Sequence, residues 1–358
     1  AQPHLEHRTS TDGRTWSDAA VLPGEGRAPR AAVDSHGTLH VVFGRKLPGI
    51  KNDCENRIWH TSREARAGSM FRDPVEIKVP STYDPQITMV TGARIAIDGR
   101  DNVHVIAWKL ILSQHASSEL GDWKDLQRCI YTRKPAGAGQ SFEPVVELLH
   151  HGSRGSGFGD IARAPNGNVH IVYNAWDLKQ KQSNWHKWRT THVVRSQDGD
   201  WLPETHEWRM LGGDFGFSIA IDRGGVVHVA GFDSEGAPKR NSRWCHFTNA
   251  DRADEMTPRW DSEDFPNITT DILLGPSGDV WMTRANNKDR LARYVHFDAS
   301  RKVWSEPQSC SPPERVNLAS RWNQMPKLAF FRGTARVVFL EKVKDEDFFR
   351  FKQHLLRP

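Results

Sequence analysis

The sequence predicts an all-β fold built from repeated four-stranded units, and three observations carry that prediction. A phrase recurs six times along the 358 residues: a short strand, a turn with Gly and usually Asp or Pro, then a β-branched strand that in four copies begins near a His. Further strand-like runs follow the phrase, as in Arg57-Ile58-Trp59-His60 and then Pro74-Val75-Glu76-Ile77. Helical periodicity never lasts more than a few turns. Four antiparallel strands per unit, repeated radially, make a β-propeller. The expected architecture is a single propeller domain over residues 1–358. It has seven blades, with six as the alternative, and its N- and C-terminal strands close the ring, which removes free sheet edges.

In chain order, Leu5 to Ser17 reads as the third and fourth strands of a blade. Within it, Ser10-Thr11-Asp12-Gly13-Arg14-Thr15-Trp16 resembles a shortened Asp box, and Ser196-Gln197-Asp198-Gly199-Asp200-Trp201 is a weaker echo. Both read as structural, with the Trp wedged between blades. The first copies of the phrase run from Ala31 to Phe43, from Arg94 to Ile106 and from Asp160 to Val172. The later copies run from Ser218 to Ala230, from Asp271 to Met282 and from Lys327 to Phe339. Their starts lie about 50 to 67 residues apart, so loops lengthen the period of 40–50 usual for a blade. His40, His104, His170 and His228 hold the same place in four copies. One chemical site does not need one residue in four blades, so these read as buried, hydrogen-bonded structural side chains.

Composition narrows the function. Charged residues make up 26% and hydrophobic ones 37%, and no apolar run approaches the ~20 residues of a membrane span. The net charge is +5 and the isoelectric point about 9.0, but the basic runs are short. That excludes a nucleic-acid tail and suits an acidic polymer or a small anion. Fourteen Trp against four Tyr give stacking faces for sugars or fill gaps between sheets. Cys54, Cys129, Cys245 and Cys310 are far apart, as two disulfides or four buried thiols, with no Cys-rich metal site. The expectation is a secreted or periplasmic monomer. Ala1-Gln2 suits a mature start after cleavage, and Asn267-Ile268-Thr269 is a glycosylation sequon. No cofactor is expected, although a structural metal ion is left open.

The informative residues are those that break the repeat. Between the strands ending near Tyr173 and starting near Thr191 lies a long insertion with Trp176, Trp185, His186, Trp188 and Arg189. A loop that only closed a hairpin would be short and rich in Gly, Asn and Asp. The loops of that face also carry Arg30, Arg94, His115, Arg243 and Arg321. The set is rich in Arg, His and Trp and holds no obvious pair of carboxylates for hydrolysis. Arg grips a carboxylate bidentately, and His and Tyr move protons. That chemistry suits β-elimination on a uronic acid.

At these residues the chain resembles the β-propeller polysaccharide lyases, the ulvan lyase and rhamnose–glucuronate lyase group with its related rhamnosidase branch. In those lyases a Tyr ends the second strand of one blade, and an Arg 16 residues later opens the third. Tyr173 and Arg189 match in spacing and strand position. The resemblance implies Tyr173, His115 and Arg189 as catalytic residues. Arg243, Trp176, Trp188, Arg94 and Arg321 are then expected to bind an acidic polysaccharide or oligosaccharide. Tyr173 is expected beside Arg189, whose charge favours the phenolate. One family His has no counterpart, since its position falls at Gly92 to Arg94. A second resemblance, to sialidases, rests on Arg27-Ala28-Pro29 and Arg45 and implies a hydrolase instead; a non-catalytic glycan-binding propeller is the third expectation.

Overall fold

The computed structural model describes all residues except 1–3, 13–14, 49–54, 67, 81–87, 112–126, 138, 149–152, 178–187, 203–205, 209–217, 234–242, 253–254, 263–268, 286–291, 311–326, 332–333, 343–348 and 357–358. The described residues contain strands and no α-helix, and no helix is long and apolar enough to cross a membrane. The chain divides into two compact units, residues 1–181 with 193–204, and residues 182–192 with 205–358.

The described strands form seven antiparallel sheets. A two-stranded sheet pairs β1 (His4–His7) with β2 (Ala20–Glu25). Next come β3 (Arg27–Val33), β4 (Leu39–Arg45), β5 (Arg57–Arg63) and β6 (Val75–Ile77), paired in sequence order. The same meander returns in β7 (Thr88–Ile97), β8 (Val103–Ile111), β9 (Gln127–Lys134) and β10 (Val146–Leu148). It returns again in β11 (Ser153–Arg163), β12 (Val169–Asp177), β13 (Trp188–Arg195) and β14 (His206–Trp208). The fourth copy is β15 (Ser218–Ile221), β16 (Val227–Asp233), β17 (Arg243–Arg252) and β18 (Glu255–Ser262). In the fifth, β19 (Thr269–Leu274), β20 (Val280–Ala285) and β21 (Ala292–Asp298) precede β22 (Val303–Trp304) and β23 (Gln308–Ser309), which both pair with β21. The last sheet is β24 (Lys327–Phe331), β25 (Thr334–Lys342) and β26 (Phe349–Leu355).

Second strands are apolar on both faces because each sheet is covered twice. Val41, Val42 and Phe43 are consecutive and all buried. Val42 packs with Ile58 and Ile77 of its own sheet against Val90, Ile97 and Val105 of the next. Ile106 and Tyr131 pack likewise against Ile161, Val169 and Ile171. In the second unit Ala230 and Trp244 meet Ile272, Met282 and Val295. Cys129, Cys245 and Cys310 are buried thiols in no disulfide. Burial pushes Cys129 up, and carries Cys310 to about 12.

The recurrent His has a fixed circuit. Asp98 Oδ1 accepts the amides of Arg100 (2.8 Å) and Asn102 (2.9 Å), which closes the turn after β7. Its Oδ2 lies 3.0 Å from His104 Nε2. That contact makes Nε2 the donor, so Nδ1 accepts from the Tyr131 hydroxyl at 2.9 Å. Asp34 repeats the pattern with the amides of His36 and Thr38, then His40, then His60. Asp222 repeats it more loosely: it accepts the amides of Gly224 and Val226, approaches His228 Nε2 only to 3.6 Å, and His228 Nδ1 then meets His246 at 3.1 Å. The third-strand ring then meets an aromatic from another sheet's outer hairpin. Phe142 stands edge-on to His60 at 5.3 Å, Trp201 to Tyr131 at 5.0 Å, and Trp304 is tilted on His246 at 5.1 Å. The residue after each of these aromatics donates its amide to the third strand of its own hairpin: Glu143 to Arg133, Leu202 to Val194, Ser305 to His296. Phe71 on His7, with Arg72 donating to Ser62, is a fourth such pair.

Two measurable consequences follow. His104→Ala strands the Asp98 carboxylate and the Tyr131 hydroxyl at a site that is 0% exposed, so it should lower stability by about 1–3 kcal/mol in urea denaturation. Acid should act through the same circuit. Burial and the charge of His40 hold His60 down to about 3, burial holds His170 down to about 4, and His40, His104 and His228 are all lowered, first by burial. The unfolded chain therefore takes protons that the folded chain refuses. Stability should be full above about pH 6.5 and fall steadily as the pH drops toward 3–4, as thermal melts across that range would show.

Candidate functional site

The first strands of successive sheets lie side by side: β3 beside β7 and β7 beside β11 in the first unit, β15 beside β19 and β19 beside β24 in the second. Ladder register aligns them. Ala32, Ala96, Ala162 and Ala220 sit opposite His40, His104, His170 and His228. Leu273 and Ala329 take the equivalent place opposite Trp281 and Arg336. Two residues earlier on the same face stand Arg30, Arg94 and Asp160 in the first unit, and Ser218, Asp271 and Lys327 in the second. These side chains reach one another. Arg94 Nε lies 3.7 Å from Asp160 Oδ1, with both side chains mostly buried. Asp271 accepts from Ser218 Oγ at 3.2 Å, from Lys327 Nζ at 2.7 Å and from the Leu328 amide at 2.8 Å.

The first-unit strands carry register shifts beside this row. Register shifts fall between Arg27 and Arg30, between Thr91 and Arg94, and on either side of Ser156. From Ser218, Thr269 and Lys327 onward the registers of β15, β19 and β24 are unbroken, and the residues just before each are outside the described residues. Gly92 supplies a φ of 65° at one bulge, while Ala28 takes 48° at another despite its Cβ. Bulges re-aim side chains and cluster beside active sites. The bulge in β7 is anchored from the neighbouring loop. The Glu55 carboxylate accepts from the Thr91 hydroxyl, the Glu55 carbonyl takes the Val90 amide at 3.1 Å, and Asn56 Nδ2 donates to the Thr88 carbonyl at 2.8 Å. Arg94 Nη1 then donates back to the Gly92 and Ala93 carbonyls at 3.2 and 3.1 Å.

Tyr173 lies at the far side of this row. It pairs with Gly159, is 2% exposed, and belongs to the cluster of Ile106, Tyr131, Ile161 and Val169. A Cβ on Gly159 would stand 2.8 Å from the Val172 carbonyl and 3.0 Å from Tyr173 Cβ, so only Gly lets β11 approach. Arg94, expected in a loop, is inside β7. The backbones of Trp176, Arg189 with Trp188, and Arg243 lie in β12, β13 and β17, and their side chains are outside the described residues, as are His115 and Arg321 altogether. Arg45 is committed elsewhere: it donates to the Glu25 and Pro23 carbonyls and stacks over the Trp59 ring at 4.3 Å. Asp160 and Glu55 were not among the residues expected from sequence. The signal for Asp160 was present, since Arg30-Ala31-Ala32, Arg94-Ile95-Ala96 and Asp160-Ile161-Ala162 align without gaps. Among the described residues, no three His, Cys, Asp or Glu side chains gather where a metal ion would be held.

No protein-family model matches the chain, and no curated protein sequence matches it. Solved structures do. The chain superposes on polysaccharide lyase Uly1 with a TM-score of 0.58 at 11% identity, covering 98% of this chain and 84% of that one. An ulvan lyase that founds a new polysaccharide lyase family gives 0.52 at 12%, covering 96% and 85%. The Hadza microbial sialidase Hz136 gives 0.58 at 10%, covering 92% of this chain, which spans only 65% of that sialidase. The fold is thus an all-β propeller of four-stranded antiparallel sheets, and these three structures that it resembles are two polysaccharide lyases and a sialidase. One consequence is local to the site: Gly159→Ala, forcing a Cβ against backbone, should cost about 1–3 kcal/mol of thermal stability.

Proposed function

We propose that the chain is a carbohydrate-active enzyme that cleaves a uronic-acid-containing polysaccharide or oligosaccharide by β-elimination beside glucuronate. The observation that carries the reading is Arg94. Its side chain is 14% exposed, a bulge aims it, and Asp160 and two carbonyls brace it from behind. A guanidinium so fixed is built to receive an oxyanion. The likeness to two polysaccharide lyases agrees with it. In this reading the domain is one propeller over residues 1–358, with its terminal strands closing the ring. It works as a secreted or periplasmic monomer without a cofactor.

Elimination needs three things of the protein. Arginine must neutralise the sugar carboxylate, which acidifies the adjacent C–H. A base must take that proton, and its electron pair becomes the new C=C bond. An acid must protonate the departing glycosidic oxygen. Arg189 and Arg243 are assigned the carboxylate, and Tyr173 and His115 the protons. Trp176, Trp188 and Arg321 are assigned to the neighbouring sugars. The equal likeness to a sialidase favours one second reading, a glycoside hydrolase.

Absorbance near 235 nm with a panel of uronic-acid polymers separates the two, because elimination creates an unsaturated uronate and hydrolysis does not. A rise is expected. Release of free sugar without a rise would make the enzyme a hydrolase, and binding without either product would make it a lectin. Tyr173→Phe removes only the hydroxyl. It should cut turnover about 10²-fold or more with KM little changed, whereas a purely packing Tyr173 would leave turnover intact.

A further inference from the structure

We infer that Glu55 is a positioning residue: through Thr91 it sets the direction of Arg94, and with it the grip of that guanidinium on the oxyanion of an acidic sugar. The inference rests on the proposed function for its ligand class and on the bonds around β7 for its geometry. Glu55 acts through Arg94 and is given no contact with substrate.

The link is short, and each step of it is a hydrogen bond or the chain itself. The ladder between β7 and β8 shifts register between Thr91 and Arg94. Thr91, the last residue in register before the shift, donates its hydroxyl to the Glu55 carboxylate. Gly92 follows with its φ of 65°, and Arg94 Nη1 donates to the Gly92 and Ala93 carbonyls at 3.2 and 3.1 Å. The guanidinium thus hangs from the two peptide units that the bulge orients. Turning those peptides turns the fork, and a bidentate grip depends on where the fork points. At its Nε edge, 3.7 Å away, stands Asp160 Oδ1 of β11.

Tying the loop to the sheets does not require this carboxylate. The Val90 amide donates to the Glu55 carbonyl at 3.1 Å, Asn56 Nδ2 to the Thr88 carbonyl at 2.8 Å, and the Asn56 amide to the Arg45 carbonyl at 2.9 Å. None of the three uses the Glu55 side chain. What that side chain adds is a fixed point at the residue where the register breaks. The addition is unfavourable by itself. Glu55 is 7% exposed, and burial strips water from a carboxylate at far greater cost than from a neutral side chain. Its neighbour β4 must also leave room, since a Cβ on Gly44 would stand 2.3 Å from Glu55 Cγ and 2.8 Å from Glu55 Cβ. Binding groups are held in productive directions by such supporting hydrogen bonds, and here the support lands on the bulge that aims Arg94.

Isothermal titration of the full chain with glucuronate, with glucose as the control and a thermal melt of every variant, tests the role. Glucuronate should bind and glucose should not. Glu55→Ala and Thr91→Val should each weaken glucuronate about tenfold, the effect of a displaced binding group. Thr91→Ser keeps the hydroxyl, and the amide oxygen of Glu55→Gln still accepts from it, so both should recover most of the affinity. A cycle with Arg94→Gln separates positioning from structure. Once Arg94 is replaced, Glu55→Ala should weaken glucuronate no further, because it acts only through that guanidinium. A purely structural Glu55 would lower the melting temperature and change the affinity equally with and without Arg94; that additivity would overturn the inference and leave the proposed activity standing. A Glu55→Gln variant as weak as Glu55→Ala would also overturn it, since the charge and not the bond to Thr91 would then matter. Should Glu55→Ala fail to fold, Thr91→Val carries the same cycle. If the parent binds no glucuronate, the uronate reading of the activity and this inference fall together.

Discussion

The buried hydrogen-bond chain from turn carboxylate to second-strand histidine to third-strand ring is the constraint on which the rest depends. In the Asp98 copy both Asp98 and His104 are 0% exposed. Groups buried that deeply are tolerated only when every donor and acceptor is matched. Matching fixes three things at once: the turn, through the Arg100 and Asn102 amides; the histidine tautomer; and the register of the third strand, because Tyr131 must arrive at Nδ1. A one-residue slip of β9 would send the Tyr131 hydroxyl to the other face and orphan the whole chain.

That constraint propagates outward through aromatic rings. His60, Tyr131 and His246 each present a face or edge to an aromatic that belongs to a neighbouring sheet's outer hairpin. The amide just after that aromatic is pinned to the third strand of its own sheet, so the ring cannot swing away. Sheet-to-sheet spacing is therefore set at the outer hairpins by geometry, while the apolar clusters between sheets supply the bulk of the burial energy. Once spacing and register are both fixed, residues at one register position on successive first strands are brought together. The polar row is the result. By fixing register, the histidine circuit determines which residues form the row in each unit.

Much of this was legible in the sequence, and the limits have physical causes. The first and second strands of all six repeats carry alternating or continuous apolar runs beside a turn with Gly, preceded in five of them by Asp or Pro, and they are where the pattern puts them. The fourth strand of the N-terminal hairpin was displaced. It begins at Ala20 instead of before Ser17, because Asp12 takes the Thr15 amide and hydroxyl into the turn. The wedge role was visible at Trp201, which sits in an Asp-Gly turn, but not at Phe71 or Phe142, whose turns lack that dipeptide. The partners of the repeated histidines were hidden for another reason. Tyr131 and His246 become partners only through cross-strand register, which periodicity does not encode. In the row, Arg94 was named from sequence because the arginines of that face were singled out. Asp160 was missed because a lone carboxylate two residues before an Ala reads as strand punctuation until Arg94 is set beside it.

The register shifts of the first unit carry the last step. They fall just before Arg30, Arg94 and Asp160, on the strands from which the polar row is built. A bulge forfeits ladder hydrogen bonds, and a positive φ at Ala28 adds strain of order 1 kcal/mol. The shift in β7 still leaves Val90 and Ala93 buried in the core between sheets, so packing tolerates it. What the shift changes is where the side chains after it point, and there Arg94 Nε lies 3.7 Å from Asp160 Oδ1. Departures from a regular ladder that weaken local structure and re-aim a charged side chain are where function is to be sought.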